Sequence, residues 1–82
     1  MTCAVEQRRR VRRAARAIRD AVPTEAVDVV APTASEFDSW TLEAVVASEG
    51  VPPEVSRELA LAGLTLRPRP AQGPFTVVVA TV

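Results

Sequence analysis

The stretch TASEFDSWTLEAVVASEG, residues 33–50, decides the fold because its pattern suits both a helix and a strand. A helix would begin at Ser35, a good N-cap residue, and would end at Gly50. A strand would place four alternating apolar residues on one face, namely Trp40, Leu42, Ala44 and Val46. The alternation extends over eight residues, whereas a helical stripe leaves Leu42 and Val46 outside it. We therefore predict a strand over residues 39–47.

Proline residues delimit the elements on either side of this strand. Pro23 ends the first helix, Pro32 ends a short strand, and Pro53 occupies the first position of a second helix that Gly63 terminates. In chain order the predicted elements are a helix over 4–22, strands over 26–31 and 39–47, a helix over 53–62, and strands over 64–69 and 75–82.

The element order αββαββ predicts an α+β fold with two layers, in which both helices cover one face of a four-stranded antiparallel sheet. Residues 75–82, FTVVVATV, carry no charge and would be an aggregation hazard at an edge, so they are predicted to form a central strand. Pro68 suits an edge strand. The predicted strand order is 64–69, 75–82, 39–47, 26–31. This arrangement resembles a ferredoxin-like fold that is circularly permuted, with its first strand moved to the end.

A helix over residues 35–49 would lead to an alternative fold. Two helices, over 35–49 and 53–62, followed by a hairpin over 64–82, resemble part of a winged-helix domain, with Arg67 and Arg69 on the wing. No third helix follows to serve as a recognition helix, so this winged-helix-like fold is the less favoured alternative.

Charge is strongly segregated along the chain, although the formal net charge is zero. Residues 1–19 contain seven arginines and one acid, Glu6, for a net charge of +6. Residues 20–58 contain nine acids and one arginine, Arg57, for a net charge of −8. Basic and acidic blocks of this kind either recruit different partners or attract each other.

Six arginines occupy one sector of the first helix, about 140° wide at 100° per residue. We call this sector the Arg face, and its members are Arg8, Arg9, Arg12, Arg13, Arg16 and Arg19. Arg10 points in another direction. Like charges three and four positions apart repel by about 0.2–0.5 kcal/mol per pair, so the seven such pairs among the arginines of this helix, Arg10 included, cost it about 1.5–3.5 kcal/mol.

Three interpretations account for the Arg face. It binds nucleic-acid phosphates, it meets acidic surface within its own assembly, or it is a solvated surface whose aliphatic stems cover apolar groups. The acids that such an assembly would use are Asp28, Glu36, Asp38, Glu43 and Glu49. We expect a small binding and interaction module that self-associates as a homo-oligomer through the Arg face. The alternative is a nucleic-acid-binding protein that contacts phosphates through the same residues.

The residue inventory argues against an enzyme. The chain has no His, Lys or Tyr, and one cysteine, Cys3, so a nucleophile would lack an activating base. Its three glycines are isolated, which excludes a glycine-rich phosphate loop. Glu36 and Asp38, with Asp28 nearby, are a weak candidate for Mg²⁺, but loop acids of this kind are usually solvated. We predict no catalytic residues, no cofactor, no metal site and no small-molecule substrate.

Length bounds the remaining expectations. The 82 residues form one small domain, with residues 1–4 frayed. Fourteen valines and fourteen alanines give a core of small side chains, which contributes about 3–5 kcal/mol of net stability and so favours a homo-oligomer.

A lone cysteine indicates a reducing, cytoplasmic location. The last eight residues are apolar but too short to cross a bilayer, so no membrane partner is expected.

Overall fold

The computed structural model of the protein describes residues 4–70 and 73–82 and contains two α-helices and four strands. The helices are α1 (Ala4–Ala21) and α2 (Pro53–Leu61), and the strands are β1 (Thr24–Val30), β2 (Thr41–Val46), β3 (Thr65–Arg67) and β4 (Thr76–Thr81). A short 3-10 helix, Pro32–Ala34, follows β1. The frayed end predicted for residues 1–4 lies largely outside the described residues, and Ala4 is the first residue of α1.

The ambiguous stretch 33–50 contains the strand β2 and no α-helix. Alternate residues of β2, Leu42, Ala44 and Val46, are buried in the core, and Glu43 between them is exposed. The strand prediction is therefore confirmed. The winged-helix-like alternative is wrong, because its helix over residues 35–49 does not form; an alternating pattern can bury its apolar face in a sheet but not along one helix face.

The four strands form one antiparallel sheet in the order β1-β2-β4-β3. This is the predicted order, with the uncharged strand β4 in the centre beside β2. β3 is a three-residue edge strand that ends before Pro68, because proline cannot donate a backbone hydrogen bond to a ladder. The other edge strand, β1, contains an irregularity between Thr24 and Ala26.

Both helices pack on one face of the sheet and share a single core. α1 contributes Val11 and Ile18, and α2 contributes Val55 and Leu59. From the sheet, Leu42, Ala44, Val46, Val78 and Ala80 project into the same cluster. The fold is thus a two-layer α+β arrangement, and no helix of the described residues lies on the opposite face of the sheet.

The end of α2 is shaped by Gly63 and by Arg10 of α1. Gly63 has a φ of +72°, a left-handed conformation that favours glycine. A Cβ at this position would lie 3.6 Å from Nη1 of Arg10. The guanidinium therefore packs against the C-terminal end of α2, where the helix dipole favours a positive charge.

Candidate interaction surfaces

The Arg face lies on the outer side of α1. The opposite stripe of the helix, Val11, Ala14, Ala15 and Ile18, is buried against the sheet. All six arginines of the Arg face are exposed. Arg10, which the sequence places outside this face, is half-buried against Gly63. The amphipathic pattern thus predicted correctly which arginine differs from the others.

No acid of the described part of the chain neutralises the Arg face by direct contact. Within residues 4–70 and 73–82, one ion pair is formed, and it joins Arg69 to Glu36. The repulsion among the arginines of α1 is therefore not offset by an ion pair in the described monomer. The six guanidinium groups are available to an external partner.

A shallow groove of about 430 Å³ runs between α1 and α2. Its floor is formed by small residues, including Ala14, Ala17 and Ala62. Its rim carries both signs of charge, because Arg9 and Arg13 at the edge of the Arg face, together with Arg10, lie beside Glu6 and Glu58. The mixed rim gives the groove little selectivity for an anion, so the exposed side of α1 is the stronger candidate surface.

The face of the sheet opposite the helices is covered at one end by the loop that follows β1. Thr41, Val79 and Thr81 belong to this face, yet each is at most 2% exposed. The backbone N–H of Phe37 donates to the hydroxyl of Ser35 (3.1 Å), which lies 2.6 Å from the Thr41 hydroxyl. Thr41 in turn donates to the carbonyl of Ser39 (2.8 Å), so Ser35 is the donor to Thr41. This chain of hydrogen bonds holds the loop on the sheet.

Two arginines from the opposite edge complete this cover. The Cζ atoms of Arg67 and Arg69 lie 5.3 and 5.8 Å from the centroid of the Phe37 ring, within cation-π range. Arg67 Nε also donates to the Thr81 hydroxyl (3.1 Å), and Arg69 pairs with Glu36. We call this region, with Ser35, Glu36, Phe37, Arg67 and Arg69 over Thr41, Val79 and Thr81, the covered end.

The rest of the same face is open and acidic, and it begins with Glu43, the cross-strand partner of Val79. Asp28 of β1 and Glu43 of β2 are direct cross-strand partners, and both are exposed. Glu25, Val45, Phe75 and Val77 line a shallow depression beside them. Phe75 is 37% exposed. We call these six residues, Glu25, Asp28, Glu43, Val45, Phe75 and Val77, the acidic sheet patch.

The acids considered as metal ligands are dispersed. Glu36 is paired with Arg69 in the covered end, and Asp28 lies on β1 beside Glu43. Asp38, whose φ is 53°, lies in the loop between β1 and β2. In the described residues no three His, Cys, Asp or Glu side chains come together in a group that could hold a metal ion.

The aromatic side chains offer no free stacking surface next to the Arg face. Trp40 is half-buried and packs against the core, as expected for an aromatic residue at a strand. The ring of Phe37 lies beneath two guanidinium groups. Phe75 lies at the face of the sheet that is opposite α1. A nucleic acid bound to the Arg face would therefore contact guanidinium groups but no aromatic ring on which a base could stack.

The covered end was not predicted from the sequence. Its parts come from two segments, residues 35–37 and 67–69, which come together because β4 pairs with both β2 and β3. Opposite charges on Glu36 and Arg69 were a signal of contact, but the sequence offered many such pairs. Neither spacing nor periodicity in the sequence indicated that the ring of Phe37 contacts two arginine side chains.

Comparisons with known proteins do not add to this picture. Neither of the two described helices is long and apolar enough to cross a membrane. No family model matches the chain, and comparison with curated proteins and with solved structures gives no significant match. The resemblance to a circularly permuted ferredoxin-like fold therefore stays a prediction.

Proposed function

We propose that the protein is a non-catalytic binding module that self-associates through the Arg face of α1. The observation that carries the proposal is the exposure of all six arginines, with none paired to an acid within the described residues. Because like charges on one helix repel, a bound acidic surface would relieve a cost that the monomer bears. The proposed setting is the cytoplasm, with which a lone cysteine is compatible.

The partner we favour is protein. Guanidinium groups form paired hydrogen bonds with carboxylates, and arginine is enriched in protein interfaces. The chain itself supplies an excess of acids outside α1, and its isoelectric point of about 6.2 is far from that of a typical nucleic-acid-binding domain.

Nucleic-acid binding is the second candidate, and the open row of guanidinium groups supports it. A helix that presents six arginines can contact phosphates, and its affinity would fall steeply with salt. Without a stacking aromatic beside the arginines, such binding would be insensitive to base sequence.

A pair of variants tests the binding function. Arg12→Gln/Arg16→Gln removes two charges from the centre of the Arg face, whereas Arg57→Gln removes one exposed charge from α2 as a control. Sedimentation equilibrium at low salt would measure self-association. We expect the double variant to raise the dissociation constant about tenfold, the equivalent of about 1.4 kcal/mol, and the control to leave it unchanged.

The second candidate is tested with the same variants by fluorescence anisotropy on labelled RNA and duplex DNA across a salt series. Binding that is lost in Arg12→Gln/Arg16→Gln but kept in Arg57→Gln would support phosphate recognition. If neither self-association nor nucleic-acid binding depends on the Arg face, the binding function is wrong and the arginines are a solvated surface.

A further inference from the structure

We infer that the acidic sheet patch is the surface that receives the Arg face of a second copy, so that the protein assembles head to tail. The inference rests on the proposed function, because it takes the Arg face as a contact surface and names what that surface binds. The two surfaces are complementary in charge, with six exposed arginines on one and three exposed carboxylates on the other.

The make-up of the acidic sheet patch suits an arginine-rich partner. Val45, Val77 and the exposed edge of Phe75 form an apolar centre, and Glu25 lines the same depression. Asp28 and Glu43 stand beside it as a like-charged cross-strand pair, an arrangement that is unfavourable without a nearby cation. Arginine suits both the apolar centre and the carboxylates, because its aliphatic stem covers apolar surface while its guanidinium group pairs with carboxylates.

The covered end of the same sheet face is an example of this contact within one chain. There, Arg67 and Arg69 lie over the ring of Phe37, and Arg69 pairs with the adjacent Glu36. The acidic sheet patch repeats the phenylalanine and the neighbouring glutamate, as Phe75 and Glu25, without an arginine over the ring in the described residues. The missing component is the one that α1 displays.

The spacing of the charges is compatible with such a contact. Glu25 and Asp28 are three residues apart on β1, and the irregularity at Glu25 makes their spacing shorter than the about 10 Å of a regular strand. Arg12 and Arg19 are seven residues apart on nearly the same side of α1, about 10 Å along a helix, and their long side chains can converge on the two carboxylates. One helix side can therefore reach both carboxylates, with Glu43 next to Asp28 on the neighbouring strand.

The position of the two surfaces determines the kind of assembly. α1 lies on one face of the sheet with its arginines directed outward, and the acidic sheet patch lies on the other face. The arginines of a copy cannot reach its own patch across the sheet. Because the two surfaces face in opposite directions, two copies cannot make the contact twice about a two-fold axis. The contact is therefore heterologous and adds copies into a ring or an open chain rather than closing as a symmetric pair.

Charge-reversal variants of the full chain test the inference by sedimentation equilibrium at low salt. The face variant is Arg12→Glu/Arg19→Glu, and the patch variant is Glu25→Arg/Asp28→Arg. Glu54→Arg, which reverses an exposed acid on α2, is the control. We expect wild type and control to gain mass with concentration, and the face and patch variants each to have a dissociation constant raised about tenfold or more.

Mixing the two variants gives the sharpest result. The face variant keeps an intact acidic patch and the patch variant keeps an intact Arg face, and the reversed face of the first is complementary to the reversed patch of the second. An equimolar mixture should therefore gain mass with concentration, although neither variant does so alone. A chain with all four reversals should associate with itself again. Recovery in the mixture also shows that both variants are folded.

Three outcomes would overturn the inference. If the face variant loses association while the patch variant assembles like wild type, the Arg face binds another acidic surface, and the proposed function survives without this partner. If wild type stays monomeric at low salt but binds RNA or DNA through the Arg face, the second candidate function stands and the head-to-tail contact does not. If no association or nucleic-acid binding depends on the Arg face, both proposals are wrong.

Discussion

The two ends of the sheet face opposite the helices differ in how their side chains are covered. At the covered end, a loop and two arginines lie over Thr41, Val79 and Thr81, which are almost fully buried. At the acidic sheet patch, Asp28 and Glu43 stand side by side in solvent next to a partly exposed apolar depression. Both regions lie on the same face of one antiparallel sheet.

The location of the arginines along the chain accounts for the difference. Arg67 and Arg69 lie in or directly after the edge strand β3, from which they reach the ring of Phe37. β1, at the opposite edge, contains only acids among its charged residues. The chain therefore covers this sheet face from the edge that carries arginines and leaves it open at the edge that carries acids.

The largest effect is expected from comparing the two phenylalanines of this face. Phe37→Ala removes the ring that carries both guanidinium groups, and we expect the free energy of unfolding to fall by about 2 kcal/mol, below the range for a fully buried phenylalanine because the ring is half-buried. Phe75→Ala is the matched variant, with an expected loss of about 0.5 kcal/mol in the monomer. Urea unfolding at high dilution measures both.

Equal losses for the two variants would contradict the distinction between a covered and an open end. A sharper version measures association as well. Phe75→Ala should weaken self-association through the acidic sheet patch, whereas Phe37→Ala, once corrected for its lower stability, should leave it unchanged.

A smaller effect is expected from breaking the hydrogen bonds that hold the loop on the sheet. Thr41→Val keeps the shape of the side chain but leaves the Ser35 hydroxyl without its acceptor, and it should lower the free energy of unfolding by about 1 kcal/mol. Thr33→Val, at an exposed position of the 3-10 helix, is the control and should change stability little. Hydrogen exchange at the Phe37 amide should accelerate in the first variant only.

The smallest effect has the opposite sign. Asp28→Asn removes one member of the like-charged pair with Glu43, so it should raise the free energy of unfolding of the monomer by about 0.3 kcal/mol at low salt. High salt screens exposed charges and should abolish the gain. Glu54→Gln, in the first turn of α2, should not be stabilising, because a negative charge there is favourable. Stabilisation that persists in high salt would contradict a Coulombic origin.

Periodicity and proline placement predicted most of the fold, because each helix and each strand has one apolar face that it buries in the core. The alternation Leu42, Ala44, Val46 identified β2, and the uncharged run at residues 76–81 identified the central strand β4. The main errors are at strand ends. β1 begins at Thr24, two residues earlier than predicted, because an irregularity between Thr24 and Ala26 lets pairing with β2 continue past the alternating pattern.

The interaction surfaces were predictable only in part. Helical geometry placed the six arginines of the Arg face on one exposed side and separated Arg10 from them. The acidic sheet patch depends on the register that sets Asp28 opposite Glu43, and a pattern of alternation does not specify register. The covered end depends on contacts between residues about thirty positions apart, which no local pattern encodes.

The central place of β4 also has a consequence for synthesis on the ribosome. Because β4 pairs with both β2 and β3, the strand that joins the two parts of the sheet is the last of the four to be translated. Until residues 76–81 emerge, β2 has an unpaired edge, β3 has no neighbour, and the apolar sides of α1 and α2 lack part of the surface that they cover. Pairing of β4 is therefore the step that covers the free edge of β2, gives β3 its partner and completes the sheet surface under both helices.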